Sequence, residues 1–236
     1  MLREIVNFVR DCKWQFENYY KFSIQEKNYK YYWKKKKINS RALNSYQLFR
    51  LSWVKKRITK VESVLDVGCG DGSFCHHLST SGYDNISGAD LIILPGLEKE
   101  LNVVEIDLQT AKPFKGVKKV DHIIFFEVLE HLSDPETVLN EALTKCRKSV
   151  FLSIPNTGYL PYRLRLLFGR FPRQWRVFPG EHLRFWTLLD FKDWINCFSS
   201  DRFLVEYDTY QGLNIFKRLL PNLFSAAIIC QVSLKK

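Results

Sequence analysis

The sequence predicts an α/β protein built on a mostly parallel sheet with helices on both faces. From residue 61 onward, short β-branched apolar runs alternate with helix-like stretches, the texture that helical crossovers between parallel strands produce. Those runs are nearly continuous in apolar character, as strands buried on both faces are. A glycine-rich turn follows the first run and acids close the next two, at the strand ends where open α/β sheets bind ligands.

Residues 1–60 stand apart from this pattern. They are rich in Tyr, Trp, Phe, Lys and Arg and contain no Gly or Pro, so they read as a basic segment of about two amphipathic helices. The strands expected next are "SVLDVGC" (63–69), "NISGADL" (85–91), "LNVVEID" (101–107), "DHIIFF" (121–126) and "SVFLSIP" (149–155). Helices are expected over 73–81 and 135–147; the second has Asp134 as N-cap, Pro135 in its first turn and Glu136 following. Residues 156–200, dense in Arg, aromatics and Pro, read as an inserted cap within a main domain of residues 61–236. Runs at 202–208 and 224–234, around a short helix, complete a seven-stranded sheet. Apart from the lysine run there is no low-complexity tract, and there is no internal repeat.

Hydrophobic residues make up 46% and aromatics 15% of the 236 residues, which excludes disorder of the whole chain. No apolar run reaches the roughly 18–20 residues that span a bilayer, and "MLREIVNFVR" is broken by charge too early for a secretory core. The cysteines at 12, 69, 75, 146, 197 and 230 form no C-x-x-C pair, which predicts reduced thiols and a cytoplasmic location. The net charge of +11 is concentrated: residues 1–60 hold 16 Lys/Arg against 4 Asp/Glu, including Lys34–Lys37. A second cluster, Arg163, Arg165, Arg170, Arg173 and Arg176, lies in a stretch without acids from 155 to 180. Such charge is either a solvated face or the mark of an anionic partner: a phosphorylated substrate, nucleic acid or an acidic membrane surface.

"VLDVGCGDGSF" puts Gly68, Gly70 and Gly72 on the turn leaving the first strand, where a ligand can approach without a Cβ in the way. Asp90 ends the second strand, 24 residues after Asp66, and suits a ribose diol; Asp107 ends the third run. The spacing is G-x-G-x-G, not the dinucleotide G-x-G-x-x-G. At these residues the sequence resembles the class I S-adenosylmethionine-dependent methyltransferases, over roughly residues 61–155. The resemblance implies a Rossmann-like sheet and S-adenosyl-L-methionine as cofactor. It implies that the glycine loop carries the methionine portion, that Asp90 holds the ribose and that Asp107 meets the adenine. Asp66, Leu91, Leu108 and Glu127 are assigned to the cofactor pocket with them.

"EVLEH" begins where the fourth strand ends. If the chain turns helical there, Glu127 pairs with Glu130 at i,i+3 and with His131 at i,i+4 on one face. Together with His182 of "PGEHLRFWTLLDF" these form a set suited to Mg²⁺ or Mn²⁺. The segment resembles two subfamilies, the ubiquinone-biosynthesis O-methyltransferases and the small-RNA 2′-O-methyltransferases. Matched residue by residue, it implies Glu127, Glu130, His131 and His182 as metal ligands that present an ion to two neighbouring hydroxyls. His131 or His182 could instead act as a metal-free base beside Glu127. His76, His77, Cys69 and Cys75 read as ordinary packing residues.

The expected function is methyl transfer to a hydroxyl of a small anionic, diol-bearing acceptor, such as a sugar or nucleotide-linked sugar. Tyr159, Tyr162, Phe168, Trp175, Phe178 and Trp186 would either stack on a ring or form a small core under the cap. The basic N-terminal quarter suggests a second acceptor, the 3′ ribose of RNA, although no recognisable RNA-binding module is present. A third reading is not catalytic. "FLSIPNTGYLPYRLRLLFGRFP" resembles a segment of methionine-biosynthesis proteins that accompany homoserine acyltransferases and work through a partner. Those proteins do not carry "EVLEH".

Overall fold

The computed structural model describes residues 2–16, 42–173, 182–198 and 201–235. Seven strands form one sheet: β1 (Val64–Val67), β2 (Ile86–Asp90), β3 (Asn102–Glu105), β4 (Val120–Phe126), β5 (Cys146–Pro155), β6 (Phe203–Gly212) and β7 (Ser225–Leu234), in the order β3-β2-β1-β4-β5-β7-β6. The pairs linking β1 through β5 are parallel, and β7 runs antiparallel to both β5 and β6. The expected strands are all present. The topology reverses at β1, where neighbouring crossovers leave on opposite sides and open a crevice at the carboxyl ends.

Alternation along the central strands builds two cores from one sheet. On one face Ile123, Phe125, Val150 and Leu152 pack with helices α4 (Pro135–Lys145) and α6 (Leu188–Asn196). On the other, Ile124, Phe151 and Ile229 meet Leu51, Trp53 and Val54 of α2 (Ser45–Lys55) and Phe74 and Leu78 of α3 (Ser73–Ser79). α1 (Leu2–Phe16) and α5 (Leu160–Leu167) lie together, and α1 also touches β6. Two short helices, α7 (Asn214–Lys217) and α8 (Pro221–Phe224), join β6 to β7. Among the described residues no helix is long and apolar enough to cross a membrane.

Two expectations need adjustment. The helix expected over 135–147 ends at Lys145, and β5 starts at Cys146 with no intervening loop. Within the stretch expected as a cap, Leu188, Phe191 and Ile195 line the inner side of α6 and are almost wholly buried in the main core. α6 therefore covers the sheet. Its start is fixed by a reciprocal cap between Thr187 and Asp190. The Lys34–Lys37 run, Arg176, Trp175 and Phe178 lie outside the described residues.

Asn156, fully buried just past β5, ties three elements together. Its Nδ2 donates to the carbonyls of Ser225 (2.7 Å) and Asn222 (3.1 Å), and its Oδ1 accepts from the backbone N–H of Gly158 and Leu188 (both 3.0 Å). Removing the amide takes a partner from the Ser225 and Asn222 carbonyls and the Gly158 N–H, while the Leu188 N–H keeps Asn222 Oδ1 at 3.0 Å. Asn156→Ala should lower unfolding stability by about 3 kcal/mol, read as a lower midpoint in a urea titration. A loss below about 1 kcal/mol would show that the joint is dispensable.

Candidate cofactor and metal site

The glycine turn leaves β1 with φ of +78°, +57° and +72° at Gly68, Gly70 and Gly72, a region that side-chain-bearing residues rarely adopt. A Cβ at Gly68 would also strike Val128, and one at Gly72 would lie 2.6 Å from Leu97 Cδ1. The loop is braced by the Gly68 N–H on the Ala89 carbonyl (2.7 Å) and the Gly70 N–H on Asp90 Oδ2 (2.8 Å). Asp90 closes β2 as expected, is buried and faces the loop through that bond; Leu91 follows it half-buried. At Gly68 and Gly72 the space a Cβ would need is thus taken by the protein's own side chains, so glycine is required for the turn itself.

Asp66 lies behind the loop, 4% exposed, and accepts a bond from the Cys75 thiol at 3.5 Å. Burial pushes its carboxyl up to about 7; Cys75 counters this, Asp90 adds to it and Arg50 opposes it. Its position makes it a brace for the turn. Asp107 sits differently from the expectation. β3 ends at Glu105, and Asp107 is an exposed loop residue whose Oδ1 accepts from the Gln109 N–H at 2.9 Å. Leu108 beside it is half-buried against the main core.

The helix expected at "EVLEH" does not form. Glu127 has φ of +59°, and only Leu129–His131 turn, as a single 3₁₀ unit. Glu127 therefore does not share a helix face with His131. Its carboxylate pairs with Arg50 Nη2 at 2.8 Å and accepts from Ser153 Oγ at 3.1 Å, while its N–H donates to the Ser153 carbonyl at 2.9 Å. Arg50, from α2, also donates through Nε to the Tyr210 hydroxyl at 2.6 Å and lies 5.6 Å from the Phe126 ring centroid. Sequence reasoning missed Arg50. The available signal was a lone charge inside the apolar run "LFRLSWV", just after the Asn44–Gln47 capping box.

The structure does bring Glu130, His131 and His182 together. One donor atom from each lies within 4.8 Å of the others. The two imidazole centroids are 4.5 Å apart. Backbone pairing sets this up, because the Glu130 carbonyl accepts from the N–H groups of Leu183 (2.8 Å) and Arg184 (3.0 Å). That clamp lays the His182 segment against the 3₁₀ turn. Glu130 is fully buried and both histidines are half-buried. Burial, with His131 adding to it, brings His182 down to about 4, so its ring is neutral and one ring-nitrogen lone pair is available near pH 7. One carboxylate and two imidazoles suit a first-row divalent ion and leave coordination positions open. Of the four residues expected to converge, three do, and Glu127 is engaged by Arg50 instead.

The Tyr159 hydroxyl donates to Asp11 of α1 at 3.2 Å. Burial carries Tyr46 up to about 12, and the charges of Asp11 and Glu127 add to that. Tyr46 thus lies within electrostatic reach of both α1 and the end of β4. Of the aromatics expected to stack on a substrate, Tyr159 and Trp186 are packed in the protein, Tyr162 is half-buried and Phe168 is 67% exposed. His76 and His77 lie on α3 with their ring centroids 5.9 Å apart, and all six cysteines are free thiols.

A parallel sheet with one reversed strand, a glycine cradle after β1 and a buried acid ending β2 define the fold of the class I S-adenosylmethionine-dependent methyltransferases. A model of the methyltransferase domain family matches residues 36–198, and the chain belongs to that family. A ubiquinone biosynthesis O-methyltransferase of Hydrogenovibrio crunogenus is 26% identical over 141 residues, 53% of this chain and 56% of the relative. The chain thus spans little more than half the length of that curated relative. Among solved structures, a SAM-dependent methyltransferase from Archaeoglobus fulgidus superposes with a TM-score of 0.60 at 17% identity, covering 88% of this chain and 100% of that one. A chain of the Pnkp1/Rnl/Hen1 RNA repair complex gives 0.54 at 15% identity, over 81% of this chain and 42% of that one.

The lowered His182 value has a definite sign. Its ordinary value is about 6.5, so the folded protein resists a proton that the unfolded chain accepts. Stability is therefore lost as pH falls from about 6.5 toward about 4. In ion-free protein, imidazole nitrogen shifts followed by NMR should hold His182 neutral from pH 8 to 5. Titration near 6.5 would show that the pocket is open to water.

Proposed function

We propose that the protein moves the methyl group of S-adenosylmethionine to a hydroxyl of a small, anionic, diol-bearing acceptor, such as a sugar or nucleotide-linked sugar, with a divalent ion held by Glu130, His131 and His182. The observation that carries this reading is the convergence of those three side chains just beyond β4, the strand beside the glycine cradle. When bound, the cofactor would supply an electrophilic methyl and the ion would lower the pKa of an acceptor hydroxyl.

The chain's own residues then have separable tasks. The left-handed turn at Gly68, Gly70 and Gly72 would receive the cofactor's methionine portion, and Asp90 offers a carboxylate to its ribose. Arg50 pairs with Glu127 and fixes its carboxylate. His182, neutral near pH 7, offers a ring nitrogen to the ion; lowered to about 4, it suits ligation better than removal of the acceptor proton. The O-methyltransferase named among the relatives favours oxygen as the methylated atom.

Calorimetric titration of Mn²⁺ into chelator-stripped protein loaded with S-adenosylhomocysteine tests the reading. One saturable site is expected, abolished by Glu130→Gln and by His182→Ala and kept in Glu127→Gln. His182→Ala should cut transfer to a diol acceptor by about 100-fold or more while cofactor affinity stays nearly unchanged. Asp90→Ala should do the reverse, weakening cofactor binding by about tenfold. Full activity of His182→Ala would sink the assignment.

A further inference from the structure

Helix α1 is docked with its polar side inward. At 100° per residue, Glu4, Asn7, Asp11 and Gln15 fall on one side, and that side meets the protein. Asn214 Nδ2 donates to the Glu4 carboxylate, Tyr159 to Asp11, and the Arg173 N–H to Gln15 Oε1 at 2.9 Å, with Gln15 only 1% exposed. Leu2, Ile5, Val6, Val9 and Phe16 fall on the opposite stripe and are 77%, 44%, 56%, 57% and 42% exposed. A helix folded against a globular core turns its apolar stripe the other way. This one presents the stripe outward.

The apolar surface continues onto both neighbours of α1. At its C-terminal end Phe16 stacks edge-on with Phe168 at 5.6 Å, where Leu167 and Phe168 are 78% and 67% exposed. Near its middle Phe8 lies 6.1 Å from Phe224, and in the same connection Leu219 and Leu220 are 80% and 53% exposed. The border is basic. Arg3 and Arg10 flank the stripe on α1, Lys13 lies within it toward the C-terminal end, and Arg170 after α5 and Arg218 after α7 stand nearby; all are exposed. No acid occurs in residues 155–180 or 209–236, and the two acids of α1, Glu4 and Asp11, are turned inward.

We propose that this face docks on the surface of a bilayer containing anionic lipids, with the outward stripe of α1 seated among the acyl chains and the arginines and lysines at the phosphates. An apolar stripe rimmed by cations is the chemistry of helices that lie in a membrane interface. Charge decides against a second copy of the chain, because a two-fold contact would bring the same cationic rims face to face. The inward face of α1 carries Asp11, hydrogen-bonded to Tyr159 and felt electrostatically by Tyr46. One helix therefore separates the docked surface from the acceptor side of the site. The inference stands on α1 and its neighbours and does not depend on the ion or the acceptor.

Co-flotation of the full chain with vesicles tests it, using phosphatidylcholine alone and phosphatidylcholine with about 30% phosphatidylglycerol. Binding is expected to the anionic vesicles, weaker by at least about tenfold on the neutral ones and in high salt. The double variant Val6→Asp/Val9→Asp, and separately Arg3→Gln/Arg10→Gln, should each lose about tenfold while keeping the wild-type melting temperature and S-adenosylhomocysteine affinity. The proposal is overturned if the wild type does not float, or if Val6→Asp/Val9→Asp floats as well as the wild type. It is equally overturned if the wild type forms a dimer that this variant abolishes and does not float, which would make the face a contact between copies.

Discussion

Glu127 leaves the central strand β4 with a positive φ, a conformation that costs a residue with a side chain about 1–3 kcal/mol. Three interactions hold it there: the Arg50 guanidinium, the Ser153 hydroxyl and the Ser153 carbonyl. The rest of the site depends on this turn. A helix continuing from β4 would have placed Glu127, Glu130 and His131 on one surface. The left-handed residue instead ends the strand abruptly, and the following 3₁₀ turn buries Leu129 and Glu130. His131 then meets His182. The two acids of one short motif consequently point to different chemistry, one toward a buried arginine and the other toward two imidazoles.

The charges are divided in the same way. Arg50, Glu127, Ser153 and Tyr210 form a linked set in which a buried cation has a full anionic partner, so the set is not a reservoir of stability so much as a fixed geometry. Glu130 is fully buried, and burial keeps the His182 beside it neutral. The two groups are not electrically separate, because Arg50 is also felt by Glu130 across the turn.

The sheet was legible because buried parallel strands must be apolar on both faces, and Val64–Val67, Ile123–Phe126 and Val150–Ile154 advertise that. α4 was legible from its cap. α6 was not, since Trp186, Phe191 and Trp194 in an aromatic-rich stretch read equally well as cap or core; only packing against β4, β5 and β7 distinguishes them. In the site, the identities of Glu130, His131 and His182 could be read from residue type and order. The separation of Glu127 from them could not, because its φ is imposed by an arginine distant in sequence. Asp107 was placed at a strand end that falls two residues earlier, where pairing with β2 stops.

The amphipathic character of α1 was also visible in the sequence, but its direction was not. Sequence patterning assumes that the apolar stripe faces the protein, an assumption that holds when water is the only alternative. In α1 the inward side is instead held by hydrogen bonds to Glu4, Asp11 and Gln15, each of which would be satisfied about as well by water, and by Phe8 against Tyr159 and Phe224. One inward aromatic and those bonds are a weak reason to leave five large apolar residues exposed. The orientation becomes favourable once a second apolar phase covers the outer stripe, because both sides of the helix are then matched to their surroundings. Sites and docking surfaces built on opposite sides of one helix are also mechanically linked, since displacing α1 would remove Asp11 from Tyr159 as it changed the outer face.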